Sequence, residues 1–208
     1  MDKKFELTDE TIMVEERTLH RIRALIDIKG TFVRKGDLGG FLEKEENLSH
    51  EGNCWIYNNA CVYADARVSG NAHIYGDALI YDNTHVSGNT WVFGNARVSG
   101  KAHVYGNAWV SGNVTISDKY ELSNNAYVKS ADDICYISSF GSKNRHTTFF
   151  RCKDNTIKVK CGCFSGTLDE FRDKVKETYG DNKYAKEYLL AIDLAELKFS
   201  HEKKDEVE

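Results

Sequence analysis

The sequence predicts a mainly β fold, a parallel β-helix, and three observations carry that expectation. Residues 53–130 divide into thirteen consecutive six-residue units without a single insertion. The fourth position of every unit is Val, Ile or Leu, and the second is nearly always Ala, Thr or Cys. The chain of 208 residues has 16 Gly and no Pro. Corners can therefore be built on glycine while each backbone amide stays available as a ladder donor. A unit this short cannot bury its own apolar face, so successive coils must stack.

The units begin NCWIYN, NACVYA, DARVSG, NAHIYG and end KYELSN, NAYVKS. In a short strand, side chains alternate between faces, so positions two and four share one face and three and five the other. The small and the aliphatic residue point inward. Position six is commonly Gly and position one usually Asn or Asp, residues that tolerate the backbone angles of a corner. Here the pattern V-x-G-N-A-x resembles the hexapeptide repeat of left-handed parallel β-helices. That resemblance implies three units per triangular coil of 18 residues, and thus just over four coils.

Residues 18 apart then stack, about 4.8 Å from coil to coil. One outward column reads Trp55, His73, Trp91, Trp109, Tyr127, flanked by Tyr57, Tyr75 and Phe93. All three tryptophans of the chain fall in it. Such a column is expected to pack on another subunit or on the C-terminal helices. The sharper alternative is a stacking platform for a nucleobase or sugar, with Trp91 and Trp109 as ligand-binding residues. A second column holds Arg67, His85, His103 and Glu121. It is expected to be a polar solvent-facing or interfacial column, because a histidine pair without a third ligand does not make a metal site. The hexapeptide resemblance also implies trimeric acyltransferases, for which His85 and His103 would be the catalytic candidates. The uninterrupted repeat departs from that pattern, since it lacks the excursion loop that walls an acyl-donor tunnel.

Residues 1–52 carry 9 basic and 12 acidic side chains. Thr11–Val14 and Leu19–Ile26 read as two strands around a Glu15-Glu16 turn. With the turn-rich Gly36–Gly40 segment before Phe41-Leu42, they form an N-terminal β cap over the open first coil. Residues 131–208 form a small C-terminal α+β cap. Strands are expected over Ile134–Phe140 and Thr147–Val159. Thr167-Leu168-Asp169-Glu170 is a capping box opening a helix that Gly180 ends, and a second helix follows Asp181-Asn182. The charged tail 201–208 is expected to fray. Between the strands, Ser142, Lys143, Arg145, His146 and Thr147 follow Gly141, in a segment (131–166) with 6 basic and 3 acidic groups. Amides and hydroxyls beside cations suit a phosphate or carboxylate, although the Walker spacing is missing and a plain basic hairpin is the alternative.

The six cysteines include no C-x-x-C pair, so neither a zinc ribbon nor a disulfide framework is expected. Cys161-Gly162-Cys163 reads as part of a strand with both thiols on one face. A formal charge of −4 disfavours duplex nucleic acid as a partner, and no apolar run reaches the ~20 residues of a membrane span. No cofactor or metal is expected, and the reduced thiols fit a cytoplasmic location. The ends GDLGGFLEKEENLS, CGCFSGTLDEF and GDNKYAKEY resemble a family of small β-helix proteins from bacteriophages and prophages. That resemblance implies action by binding, such as a homotrimeric sponge for a nucleotide-like anionic signal of host defence. A structural or adaptor protein assembled through the aromatic face is the third reading.

Overall fold

The computed structural model describes residues 3–200; the charged tail 201–208 lies outside the described residues. The chain is a parallel β-solenoid followed by an α+β segment, and it forms two compact units that divide after Asn125.

In the first unit each six-residue repeat yields a strand of two residues and a corner. Val68, Ile74, Ile80, Val86, Val92, Val98 and Val104 are all buried, as are the small residues two places before them. Thr84 and Thr90 occupy two of those small positions, and their hydroxyls donate to the carbonyls of Tyr81 (2.7 Å) and Ser87 (2.6 Å). A polar group inside the coil is thus satisfied within its own turn. Position six has positive φ in twelve successive units: at Gly70, Gly76, Gly88, Gly94, Gly100, Gly106 and Gly112, and at Asn58, Ala64, Asp82, Asp118 and Asn124. At Gly88 a Cβ would lie 2.6 Å from the Gly106 carbonyl oxygen, so glycine there serves both the turn and the close approach of coils.

The coils stack in register. His73 pairs with Trp55 and Trp91, Arg97 with Leu79 and Thr115, and His103 with His85 and Glu121. Each strand amide donates to the carbonyl one turn further on, as from Trp91 to Ala108 (2.9 Å) and from Arg97 to Val114 (2.8 Å). At the corners an asparagine ladder runs from Asn53 through Asn71, Asn89 and Asn107 to Asn125.

This direction of bonding leaves the first coil with carbonyls that no coil below can satisfy. The N-terminal segment supplies the donors. The amides of Phe41, Glu43 and Ser49 reach the carbonyls of Ala60, Val62 and Val68. The Asn47 side chain donates to Ala64 and Ala66, and the buried Lys4 ammonium donates to Cys54 (2.9 Å) and Gly52 (3.4 Å). Burial pushes the Lys4 ammonium below its ordinary range and the Cys54 thiol, 3.2 Å away, above its own.

Stacking therefore begins earlier than the thirteen units suggest. Leu38–Leu42 pairs in parallel with Cys61–Val62, and Leu48 bridges to Val68. Twenty residues separate Leu42 from Val62 but eighteen separate Val62 from Ile80, which hides the extra coil from a fixed period. Beyond it, Phe5–Val14 and Arg17–Ala24 form a hairpin through a turn at Glu15 and Glu16, both with positive φ. The hairpin extends the same sheet as two antiparallel strands.

The second unit carries a four-stranded antiparallel meander, Ile134–Phe140, Arg145–Arg151, Ile157–Cys161 and Phe164–Thr167. The single strand expected over Thr147–Val159 is two strands, because Cys152–Thr156 turns back with Asn155 at positive φ. Cys161-Gly162-Cys163 is a turn and not a continuous strand; Gly162 has positive φ, Cys161 is buried and Cys163 exposed. Helix α1 (Leu168–Tyr179) is opened by the Thr167–Glu170 capping box, and α2 (Lys183–Ser200) follows Gly180. Phe171 and Val175 of α1 and Tyr188 and Ile192 of α2 pack with Phe149 and Val159 of the sheet. Asp133 and Arg151 form a nearly buried ion pair at 3.1 Å.

Candidate functional site

The aromatic column of the coils is a continuous ladder. Tyr57 stacks on Tyr75 with centroids 4.0 Å apart, Tyr75 on Trp91 at 5.4 Å, and Trp91 on Trp109 at 5.7 Å. The rings lie within 17° of parallel at each step. The 18-residue register puts Tyr75 above Tyr57 and Trp109 above Trp91, and the step from Tyr75 to Trp91 crosses from the fifth position of one coil to the third position of the next. Phe93 meets Trp109 edge-on at 4.9 Å.

Exposure divides the column. Trp55 is fully buried and Trp91 is 38% exposed. On the neighbouring face Cys61 and Tyr63 are buried as well, packed with Leu19 and Phe41 of the N-terminal segment. Trp55, Cys61 and Tyr63 of the first coil are thus interior although they point outward, whereas Arg67 on the third face stays exposed, and the aromatic column open to solvent begins above Trp55. Burial, followed by the neighbouring Tyr75, holds the Tyr57 phenol well above its ordinary range. Burial, followed by the charge of Lys4, pushes His73 below its ordinary value, so the imidazole facing the Tyr57 hydroxyl at 3.3 Å is neutral near pH 7.

Rings that stack on one another spend their faces internally. Trp91, with a ring stacked on either side, offers a partner its edge, and Trp109 has one face on Trp91 and Phe93 edge-on. His85 and His103 likewise stack on each other, with centroids 5.0 Å apart and planes 13° apart, and both are exposed. Among the described residues, no group of three or more His, Cys, Asp or Glu side chains is placed to hold a metal ion.

The basic hairpin lies in the second unit, and its residues are not gathered at one point. Arg145 and Thr147 alternate onto the strand face that carries Phe149, whereas His146 points to the other and stacks near Tyr136 at 5.9 Å. Thr147 is fully buried. The Gly141 amide donates to the Glu187 carboxylate (2.7 Å), and the Ser142 hydroxyl is bonded to the Tyr179 hydroxyl (2.7 Å). The turn's own donors are thus engaged by the helices. Lys143 and Arg145 stay exposed, with no hydrogen bond or ion pair among the described residues.

A family model described as YdcK Beta solenoid repeat matches residues 92–106. The matched stretch runs from the core Val92 to the corner Gly106 and includes His103. No curated protein matches the chain. No helix among the described residues is long and apolar enough to cross a membrane.

Residues 45–50 carried no signal in the hexad frame, because the two extra residues between Leu42 and Val62 break it. The structure places Glu45, Glu46 and His50 beside Arg67 and His85.

Proposed function

We propose that the protein is a non-catalytic binding scaffold that works as an oligomer, assembled through the aromatic face of its coils. The single observation behind this reading is the ladder Tyr57–Tyr75–Trp91–Trp109, whose third rung, Trp91, is 38% exposed. The faces between its rings are used up, and its edges make an apolar strip. A strip of that kind is costly to leave in water and suits a flat, self-similar surface such as the same face of a second copy. The hexapeptide resemblance implies three copies.

Analytical ultracentrifugation tests the proposal. The wild type should sediment as an oligomer, and Trp91→Lys should dissociate it while leaving the circular dichroism spectrum unchanged, because Trp91 faces outward and the core is carried by Val92. A concentration-independent wild-type monomer, or an oligomer indifferent to Trp91→Lys, would overturn it.

A second reading is sequestration of a nucleotide-like anion, in keeping with the phage-type resemblance. It is favoured by the exposed Lys143 and Arg145, whose side chains make no hydrogen bond or ion pair among the described residues. Calorimetry with linear and cyclic nucleotides should then show Arg145→Ala weakening binding by about tenfold or more, the equivalent of ~1.4 kcal/mol. Equal affinity in both proteins would remove it.

A further inference from the structure

A groove of about 580 Å³ opens on the first coils, away from the aromatic ladder. Arg67, Ser69 and His85 line it from the coil strands, and Glu45, Glu46 and His50 from the turn that precedes them. Leu48, bridged to Val68, belongs to the same lining.

The groups fall into two sets. Glu45 and His50 are fixed: His50 Nε2 lies 2.7 Å from Glu45, His50 Nδ1 accepts the Lys4 amide at 3.1 Å, and Lys3 pairs with Glu45 at 2.8 Å. Phe5 stacks on the His50 ring at 4.4 Å. These contacts hold Glu45 below the usual carboxylate range, with the Lys3 and His50 hydrogen bonds as the leading causes. In the second set His85 stacks on His103, but the polar atoms stay open. Arg67, Ser69, His85 and Glu46 make no side-chain hydrogen bond or ion pair among the described residues. A rigid wall beside uncommitted polar groups is the arrangement that a preorganised site requires.

The spacing of the free donors is set by the fold. Arg67 and His85 are register partners on adjacent coils, hence about 4.8 Å apart along the stack. Two donors at that separation straddle an oxyanion, each within hydrogen-bond reach of a different oxygen. Ser69, two residues after Arg67, shares its outward side and offers a third donor. Three donors from two coils suit the three oxygens of a phosphate monoester better than the two of a planar carboxylate. Glu46 brings a negative charge to the same groove, which repels a bare anion but attracts one that also carries an ammonium group.

We propose that this groove binds a small zwitterionic phosphate, its phosphate on Arg67, Ser69 and His85 and its ammonium group on Glu46. The site is independent of the assembly surface and of the basic hairpin.

Calorimetry with O-phosphoethanolamine, inorganic phosphate, γ-aminobutyrate and ethylamine provides the test. O-phosphoethanolamine should bind at least tenfold more tightly than any of the others. Arg67→Gln, at an exposed position outside the coil core, should weaken it at least tenfold without changing the circular dichroism spectrum. Glu46→Gln should erase the preference over inorganic phosphate. Tighter binding of γ-aminobutyrate would overturn the phosphate assignment. The site itself falls if no probe binds saturably at millimolar concentration, or if Arg67→Gln leaves the affinity unchanged.

Discussion

In the coils, the amides of His73, Trp91 and Arg97 each find a carbonyl one turn further along the chain, and the same side-chain types recur at the same height on every turn. In the C-terminal unit, the four strands satisfy one another in an antiparallel meander, and a core of non-repeating residues around Phe171 and Tyr188 joins them to two helices. The first region is stabilised by nearest-neighbour repetition. The second depends on a few large side chains that have no understudy. A substitution in the coils should therefore be felt by the turns on either side, and one in the helices by a whole local core.

The largest expected effect lies in the non-repeating core. Phe171→Ala removes a buried ring that contacts Phe149, Phe164 and Tyr188, and should cost about 3–5 kcal/mol. Hydrogen exchange should show protection lost across α1, α2 and the meander while the coil amides keep theirs. Loss of protection throughout the chain would show that the two regions do not unfold separately.

Gly88→Ala should come next. It forces a Cβ onto a residue at φ +75 and to within 2.6 Å of the Gly106 carbonyl oxygen, for a cost of about 2–3 kcal/mol. The loss of protection should centre on the turns carrying Gly70, Gly88 and Gly106. Urea titration equal to the wild type would contradict the tight stacking of these corners.

A pH effect separates the regions further. His73 in the coils is held below its ordinary value of 6.5, first by burial. As pH falls below 6.5 the unfolded chain takes up a proton that the folded chain refuses, so stability is lost in that direction. The contribution is at most about 1.4 kcal/mol per pH unit. The urea midpoint should drop between pH 7 and pH 5, and His73→Gln should flatten part of that drop.

The smallest effect is a gain. Ala64 sits at a corner with φ +55, where the other turns mostly use Gly, Asn or Asp. Ala64→Gly should relieve about 0.5–1 kcal/mol of strain, read as a rise in the urea midpoint. An unchanged or lower midpoint would mean that the methyl group's packing beside Tyr63 outweighs the strain.

The coil register was legible because it depends on nothing remote. Val86, Val92 and Val98 point inward for the same reason that any two-residue strand alternates, and Gly88 and Gly94 turn for the same reason that glycine turns. The Thr167–Glu170 cap and the Gly180 stop were legible on equally local grounds. The early coil at Leu42 and Leu48 was not, since a two-residue insertion defeats a fixed period. The break at Cys152–Thr156 is easily overlooked for lack of proline or glycine, although Lys153-Asp154-Asn155 are residues that strands disfavour and turns accept.

By itself, then, the sequence determined the direction of each coil side chain and the height at which it repeats, because both follow from strand alternation and a constant spacing. Only the tertiary structure decided what those positions meet. Trp55, Cys61 and Tyr63 occupy outward positions yet are buried, because orphan carbonyls at the base of the stack draw the N-terminal segment over them. Trp91 and Trp109 spend their faces on each other, and the Gly141 amide of the hairpin is engaged by Glu187. Each outcome turns on the partner a group finds across space, and spacing along the chain does not encode that partner.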